Sequence, residues 1–347
     1  MENEKIDFPY LENLKNSNVK DVQLQQSLFK IPKKRDYAGK TYPYLLTDKN
    51  LEAAADMAIL LNQPLLLTGE AGVGKTQFAY YLANKLGWEV FDFDTTSAST
   101  AEEVFYTYDT LGRFSAVNLD QLKPEQAKAA NYIEYHALGK AILYSRAKDD
   151  KIKEFLSNKI ELPDQPKRVV VLIDEIDKAP RDFPNDLLNR LEKLSFRIPF
   201  ISDKEICVDE EYRPIVIFTS NEEKPLPNPF LRRCIYCNIE FPSKKSLKKI
   251  VDLRLEEIKP LSSKDKFIDD ALELFFILRE NELSKKPSIA ELLGWLITLY
   301  HGLKLKQQDE QIDLKTKKDE LLSSLQALIK NKDDFQTANA VVEKWVE

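Results

Sequence analysis

Cysteine and histidine are almost absent from this sequence, at three and two among 347 residues. So sparse a set excludes a disulfide framework. Cys234-Ile235-Tyr236-Cys237 has the spacing of a redox or zinc motif. A structural zinc needs four ligands, however, and Cys207, His136 and His301 lie far off with no matching spacing. The pair therefore reads as buried strand thiols. No apolar run approaches the roughly 20 residues that span a bilayer. Basic excess is missing too: the net charge is −6 and the isoelectric point about 5.4, unlike the usual nucleic-acid binder. The first residues, Met1 to Lys5, are polar and lack the apolar stretch of a secretory signal, so the expected location is cytoplasmic. What remains, 43% apolar and 31% charged, suits a globular chain with a sizeable core.

Glycine is scarce as well, nine in all, and three of the nine fall within six residues. The run Leu65-Leu66-Leu67-Thr68-Gly69-Glu70-Ala71-Gly72-Val73-Gly74-Lys75-Thr76 fills every fixed position of G-x-x-x-x-G-K-[ST]. A short apolar strand precedes it. An amphipathic helix follows, with Phe78, Ala79, Leu82, Ala83 and Leu86 on one face. Such a turn brings backbone N–H groups close to phosphates, with the helix N-terminus pointing at them. Residues Gly69 through Gln77 are thus the candidate nucleotide-binding loop: Gly69, Glu70, Ala71, Gly72, Val73, Gly74, Lys75, Thr76 and Gln77. Lys75 would reach the β- and γ-phosphates of ATP, and the Thr76 hydroxyl would ligate Mg²⁺.

Elsewhere the pattern alternates. A helix is expected from about Asp48 to Leu61 and a strand from Trp88 to Asp94. Thr100 and Glu103 have capping-box spacing for a new helix, and Lys33 to Asp36 reads as a charged turn. Two further helical patterns lie near Pro124–Ile133 and Glu134–Arg146, inside an insertion spanning 95–165. Arg168 precedes Val169-Val170-Val171-Leu172-Ile173, a run suited to a strand buried on both faces. A helix over Phe183–Leu194, a hairpin over Arg197–Val208 and a second buried strand over Ile215–Phe218 complete an α/β pattern with a mainly parallel sheet. After Pro242 only helical patterns occur, near 244–258, 266–280, 289–303, 315–330 and 336–345. The expected division is a polar segment 1–40, a nucleotide-binding α/β domain 41–242 and a helical domain 243–347. The charged stretch from Lys304 to Glu320 reads as solvated.

The first buried strand ends in Asp174-Glu175, at the edge where ligands bind in such sheets. Asp174 is the second candidate Mg²⁺ residue, and Glu175 the candidate base toward an attacking water. Asn221 closes the next strand and is a candidate to orient that water. Arg232-Arg233 follows the stiff run holding Pro225, Pro227 and Pro229. A loop-borne arginine pair suits a charge clamp offered to a neighbouring subunit's nucleotide. Lys75, Glu175, Asn221, Arg232 and Arg233 form the candidate catalytic set. No Asn-Lys-x-Asp run of a GTPase is present.

In this order the segments Gly69–Thr76, Leu172–Glu175, Thr219–Asn221 and Leu231–Arg233 resemble the AAA+ ATPases. More narrowly the chain resembles the MoxR branch, through Leu60–Glu70, Asp174–Pro180, Asp186–Asn189, Phe105–Asp109 and Pro287–Trp295. The resemblance spans about residues 40 to 305. It implies a P-loop NTPase sheet sandwiched by helices, followed by a small all-helical lid, with a hairpin at about 195–212. It also implies an ATP-hydrolysing ring of like subunits, expected to be a hexamer. Such a ring remodels a protein partner, often alongside a protein with a von Willebrand factor A domain. ATP or ADP with Mg²⁺ are the implied cofactors, and nucleic acid is not an expected partner. By family position Tyr44 and Leu45 pack near the adenine. One departure is plain: many relatives carry an arginine at the start of the second lid helix, where this chain reads Lys286-Pro287-Ser288-Ile289. Lys285 or Lys286 would have to supply that charge. Two other readings fit the same motifs: an ATP-gated scaffold with slow turnover, and a motor subunit of a nucleic-acid-directed defence complex. The latter calls for a basic, aromatic-lined pore.

Overall fold

The computed structural model describes residues 34–36, 41–45, 49–118, 128–157, 160–255, 265–304 and 313–347. Most of the expected polar segment 1–40, the start of the pattern at Pro124 and the charged stretch at 305–312 lie outside these residues. The chain forms two compact units. One comprises Asp48–Gly69 and Lys75–Ile239; the other comprises Lys33–Thr47, Glu70–Gly74 and Glu240–Glu347.

In chain order the strands begin with β1 (Lys34–Asp36), β2 (Thr41–Pro43), β3 (Leu65–Thr68), β4 (Glu89–Asp94), β5 (Tyr106–Tyr108) and β6 (Ile133–Tyr135). They continue with β7 (Val169–Asp174), β8 (Ser195–Ile198), β9 (Ser202–Cys207), β10 (Ile215–Thr219) and β11 (Ile235–Asn238). The first unit is built on a five-stranded parallel sheet in the order β11-β3-β10-β7-β4. Its three central strands β3, β10 and β7 are almost entirely buried. That is why their sequences are continuous apolar runs rather than alternating ones. The edge strand β4, by contrast, alternates Val90, Phe91 and Phe93 with acidic residues. Parallel pairing sets Asp94 beside Asp174 and Phe218 beside both Ile173 and Leu66. The carboxyl ends of β4, β7 and β10 therefore meet at one edge.

Flanking helices follow the expected periodicity. Lys75–Leu86 buries Phe78, Ala79, Leu82, Ala83 and Leu86. Phe183–Lys193 buries Phe183, Leu187, Leu188 and Leu191, with Pro184 in its first turn where no N–H partner is needed. Two antiparallel pairs complete the unit, β5 with β6 and β8 with β9.

The second unit holds helices Lys244–Leu255, Asp265–Glu280, Ile289–Lys304, Lys318–Ser324 and Lys332–Val346. Their apolar faces close over Trp295, Leu272, Phe275, Leu292 and Leu325, all fully buried. The indole of Trp295 donates to Ser324 Oγ at 2.8 Å, so its one polar atom is satisfied inside the core.

Four sequence expectations need correction. Residues Lys34–Asp36 are not a turn but strand β1, paired antiparallel with β2. The Thr100–Glu103 box does form, with Thr100 N donating to Glu103 at 3.0 Å and Glu103 N to Thr100 at 3.3 Å. It opens only a run of turns, because Tyr106 already begins β5. The described end of the pattern reaching Ile133 is a 3₁₀ turn, Ala129–Tyr132, running into β6, which pairs with β5 instead of continuing a helix. The pattern over 315–330 is broken into a 3₁₀ turn, a short helix and a second 3₁₀ turn. At the last break Ser324 Oγ donates back to Leu321 O at 2.8 Å, a local bond that bends helices.

Two glycines provide a matched test of this packing. A Cβ on Gly139 would lie 2.0 Å from the carbonyl oxygen of Phe105, whereas one on exposed Gly294 would meet nothing within 4 Å. Gly139→Ala is expected to lower stability by about 1–3 kcal/mol or more through overpacking. Gly294→Ala, inside a helix, is expected to raise it by about 0.5–1 kcal/mol. Denaturant midpoints of the two variants read both signs.

Candidate nucleotide-binding and hydrolysis site

Asp174 is the last residue of β7, and Glu175 leaves the strand in the left-handed region at φ 54° and ψ 50°. A non-glycine residue there is strained and persists only where its surroundings over-determine it. They do. The Glu175 N–H donates to Thr219 Oγ1 at 2.8 Å. Its carbonyl accepts from Thr95 Oγ1 at 2.5 Å and from Lys178 N at 2.9 Å. Thr95 also donates through Oγ1 and through N to the Asp174 carbonyl, at 2.6 and 3.1 Å. Thr95 follows β4 and Thr219 ends β10, so both neighbouring strands grip the same peptide.

Around that peptide the sequence candidates converge. Thr76 Oγ1 lies 3.0 Å from each Asp174 carboxylate oxygen. Thr219 Oγ1 donates to Asp174 Oδ1 at 2.5 Å. Asn221 Nδ2 donates to Glu175 Oε1 at 3.1 Å, and Lys178 pairs with Glu175 Oε2. Lys75 is 5% exposed, and its ammonium donates to Gly69 O at 2.8 Å. Burial pushes the Lys75 amine below the ordinary lysine range, against the pull of Asp177, Asp174, Glu175 and Glu222. Half-buried Gln77 continues the same helix. Thr76 and Asp174 offer only oxygen donors, the set that suits a hard cation such as Mg²⁺.

Arg232 and Arg233 are not drawn into this cluster. Both are exposed beyond the helical turn Asn228–Leu231, and Arg233 pairs with Glu192 at 3.2 Å. The Cys234 and Cys237 thiols are buried, and burial pushes Cys234 up to about 12, so it is a packed side chain rather than a reactive one.

The tip of the loop, Glu70–Gly74, belongs to the second unit. Gly72 and Gly74 there take φ of +81° and +103°, values that L side chains rarely adopt. A Cβ on Gly72 would press on Ser288 Cβ at 3.0 Å, and one on Gly74 on the Tyr44 ring at 3.2 Å. Tyr44 and Leu45 are half-buried, Val73 is buried and Ala71 is exposed. Ser288 and Glu291 cap the helix Ile289–Lys304 reciprocally, at 2.7 and 3.3 Å. In the same unit Glu70 pairs with Arg279 at 2.5 Å. Arg279 is 8% exposed, donates to Pro287 O and lies 3.5 Å from the Phe241 ring centre.

Sequence reasoning misses Thr95, Lys178 and Arg279. Thr95 carries no motif. Lys178 enters only as part of a resemblance. Arg279 is legible in one respect: it follows Phe275 by four residues, on the buried stripe of its helix.

A parallel sheet with flanking helices, and a glycine-rich loop leading from its strand β3 into a helix, define the P-loop nucleoside-triphosphatase fold in its AAA+ form. Residues 64–234 match the AAA domain of the dynein-related subfamily. Among solved structures the chain is similar to RuvB of Thermotoga maritima, a Holliday junction branch migration motor. That protein is 15% identical with a TM-score of 0.43, covering 83% of this chain and 69% of that one. A mutant form of the same protein is 12% identical with a TM-score of 0.47, covering 81% and 69%. No curated protein sequence matches. Among the described residues no helix is long and apolar enough to cross a membrane.

The Thr219 hydroxyl is fully buried and serves two partners. Thr219→Val keeps its shape but leaves the Glu175 N–H without that acceptor. The expected loss is about 1–3 kcal/mol in denaturant unfolding, with Thr219→Ser close to wild type.

Proposed function

We propose that this chain is a Mg²⁺-dependent ATPase of MoxR type that works as a ring, most simply a hexamer, and remodels a protein partner. The observation that carries the reading is the meeting of Thr76, Asp174, Glu175 and Asn221 at one edge of the sheet, beside the buried ammonium of Lys75. On this reading the loop Gly69–Gln77 and Lys75 receive the phosphates, and Tyr44 and Leu45 flank the base. Thr76 and Asp174 hold Mg²⁺, which when bound supplies charge neutralisation at the β- and γ-phosphates. Glu175 takes a proton from the attacking water, and the Asn221 amide fixes that water's position. Arg232 and Arg233, exposed on a stiffened loop, serve the nucleotide of the adjacent subunit. The runs similar to MoxR proteins support a partner with a von Willebrand factor A domain.

The test is ATP binding and turnover measured per subunit across a wide range of protein concentration. Lys75→Ala is expected to lose ATP binding, because the phosphates lose their main counter-charge. Glu175→Gln should bind ATP yet lose turnover. Wild-type turnover should rise cooperatively with concentration. Arg232→Ala or Arg233→Ala should bind normally, turn over slowly and regain activity when mixed with Glu175→Gln protein. Tight binding with negligible turnover at every concentration would instead identify an ATP-gated scaffold. Unchanged ATP affinity in Lys75→Ala would remove the site assignment.

A further inference from the structure

The catalytic set leaves one charged group at its centre without a role. Lys178 sits three residues beyond Glu175 at the end of the 3₁₀ turn Ile176–Lys178, and its ammonium pairs with Glu175 Oε2. Asn221 holds the other oxygen, Oε1, at 3.1 Å. Both oxygens of the carboxylate are thus engaged by the chain's own donors.

The backbone on both sides of the pair is fixed. Asp177, 3% exposed, accepts through Oδ2 from Asn221 N at 3.2 Å and from Glu223 N at 2.9 Å. The Lys178 carbonyl accepts from Lys224 Nζ at 3.3 Å, and the Lys178 N–H donates to Glu175 O. Three bonds likewise hold the Glu175 peptide. What can move is the lysine side chain, a charge on a flexible four-carbon stem whose surface is 43% exposed. Besides its pairing with Glu175, its charge is also acted on by Glu223 and Asp177.

We propose that Lys178 is a positioning residue that gates the base: its ammonium competes with the attacking water for the Glu175 carboxylate, so hydrolysis proceeds only from conformers in which the pair is open. This deepens the ATPase reading above and rests on it. In such an arrangement the basal rate is set partly by the fraction of open pairs. Any partner or neighbouring subunit that offers Lys178 another anion accelerates turnover without touching the nucleotide.

The experiment combines kinetics with direct labelling of the amine. Lys178→Met is expected to raise kcat several-fold with the ATP dissociation constant unchanged. Lys178→Arg, which keeps a cation, should stay near wild type. The gain must vanish in the Lys178→Met, Glu175→Gln double variant, because it runs through Glu175. Independently of turnover, acetylation of Lys178 by acetic anhydride, read by mass spectrometry, should be several-fold faster in Glu175→Gln than in wild type. An unchanged or lower kcat in Lys178→Met would overturn the gate, as would equal labelling rates in wild type and Glu175→Gln. Failure of the parent reading looks different: the wild-type protein and the Lys178 variants alike then bind no ATP, or bind it with negligible turnover, and the gate falls with it.

Discussion

Everything at this site depends on holding one peptide in a conformation it would not choose. The chain must turn out of a buried parallel strand immediately after Asp174, and it does so through a left-handed glutamate. Glycine would adopt that geometry at little cost but would bring no carboxylate. The side chain is therefore retained and the backbone restrained by hydroxyls from both flanking strands, Thr95 on one side and Thr219 on the other. Both threonines are buried, so little water competes for these bonds. The sheet order makes this possible: only because β7 lies between β4 and β10 can both neighbours reach its last peptide.

The fold was legible where one physical cause acted alone. Central strands buried on both faces must be apolar throughout, and Val169–Ile173 and Ile215–Phe218 read as such without ambiguity. Helices with one buried face kept their period, as in Lys75–Leu86 and Asp265–Glu280. Legibility failed where two causes competed. At Thr100–Glu103 the capping chemistry is real, yet strand β5, paired with β6, begins a few residues later. Along 315–330 the leucines do keep a buried stripe, Leu321, Leu325 and Leu328, but the Trp295 indole claims Ser324 and the helix breaks around that contact. Short strands such as Tyr106–Tyr108 offer too few residues for any period to register.

The candidate site was legible to the extent that its chemistry sits in local motifs. Thr76, Asp174, Glu175 and Asn221 could be picked from spacing because each lies at a strand end or loop junction. Their supports could not. Thr95 is one threonine among many until the sheet places it beside β7, at the register that pairs Asp94 with Asp174. Arg279 is more instructive. The family resemblance directs attention to the start of the helix Ile289–Lys304 for a cation, and Ser288 and Glu291 there are committed to a capping box. The cation that meets the loop residue Glu70 comes from the end of the preceding helix, stacked on Phe241. Such a residue is found by burial, since an arginine 8% exposed must have its charge answered nearby.

The charge balance around Lys75 ties these points together. One buried ammonium faces Asp177, Asp174, Glu175 and Glu222, while burial itself works against its charge. Lys178 answers one of those carboxylates, and backbone N–H groups answer Asp177. The hydroxyls of Thr76 and Thr219, both neutral, are what hydrogen-bond the Asp174 carboxylate among the described residues. A polyphosphate entering such a field adds several negative charges beside a carboxylate that hydroxyls solvate but do not neutralise. On the proposed reading Thr76 and Asp174 would hold a divalent ion through oxygen donors, and that ion would supply the missing positive charge. The single charge of Lys75 cannot by itself offset both the phosphates and the carboxylates that act on it, so nucleotide binding at this site calls for a second positive charge.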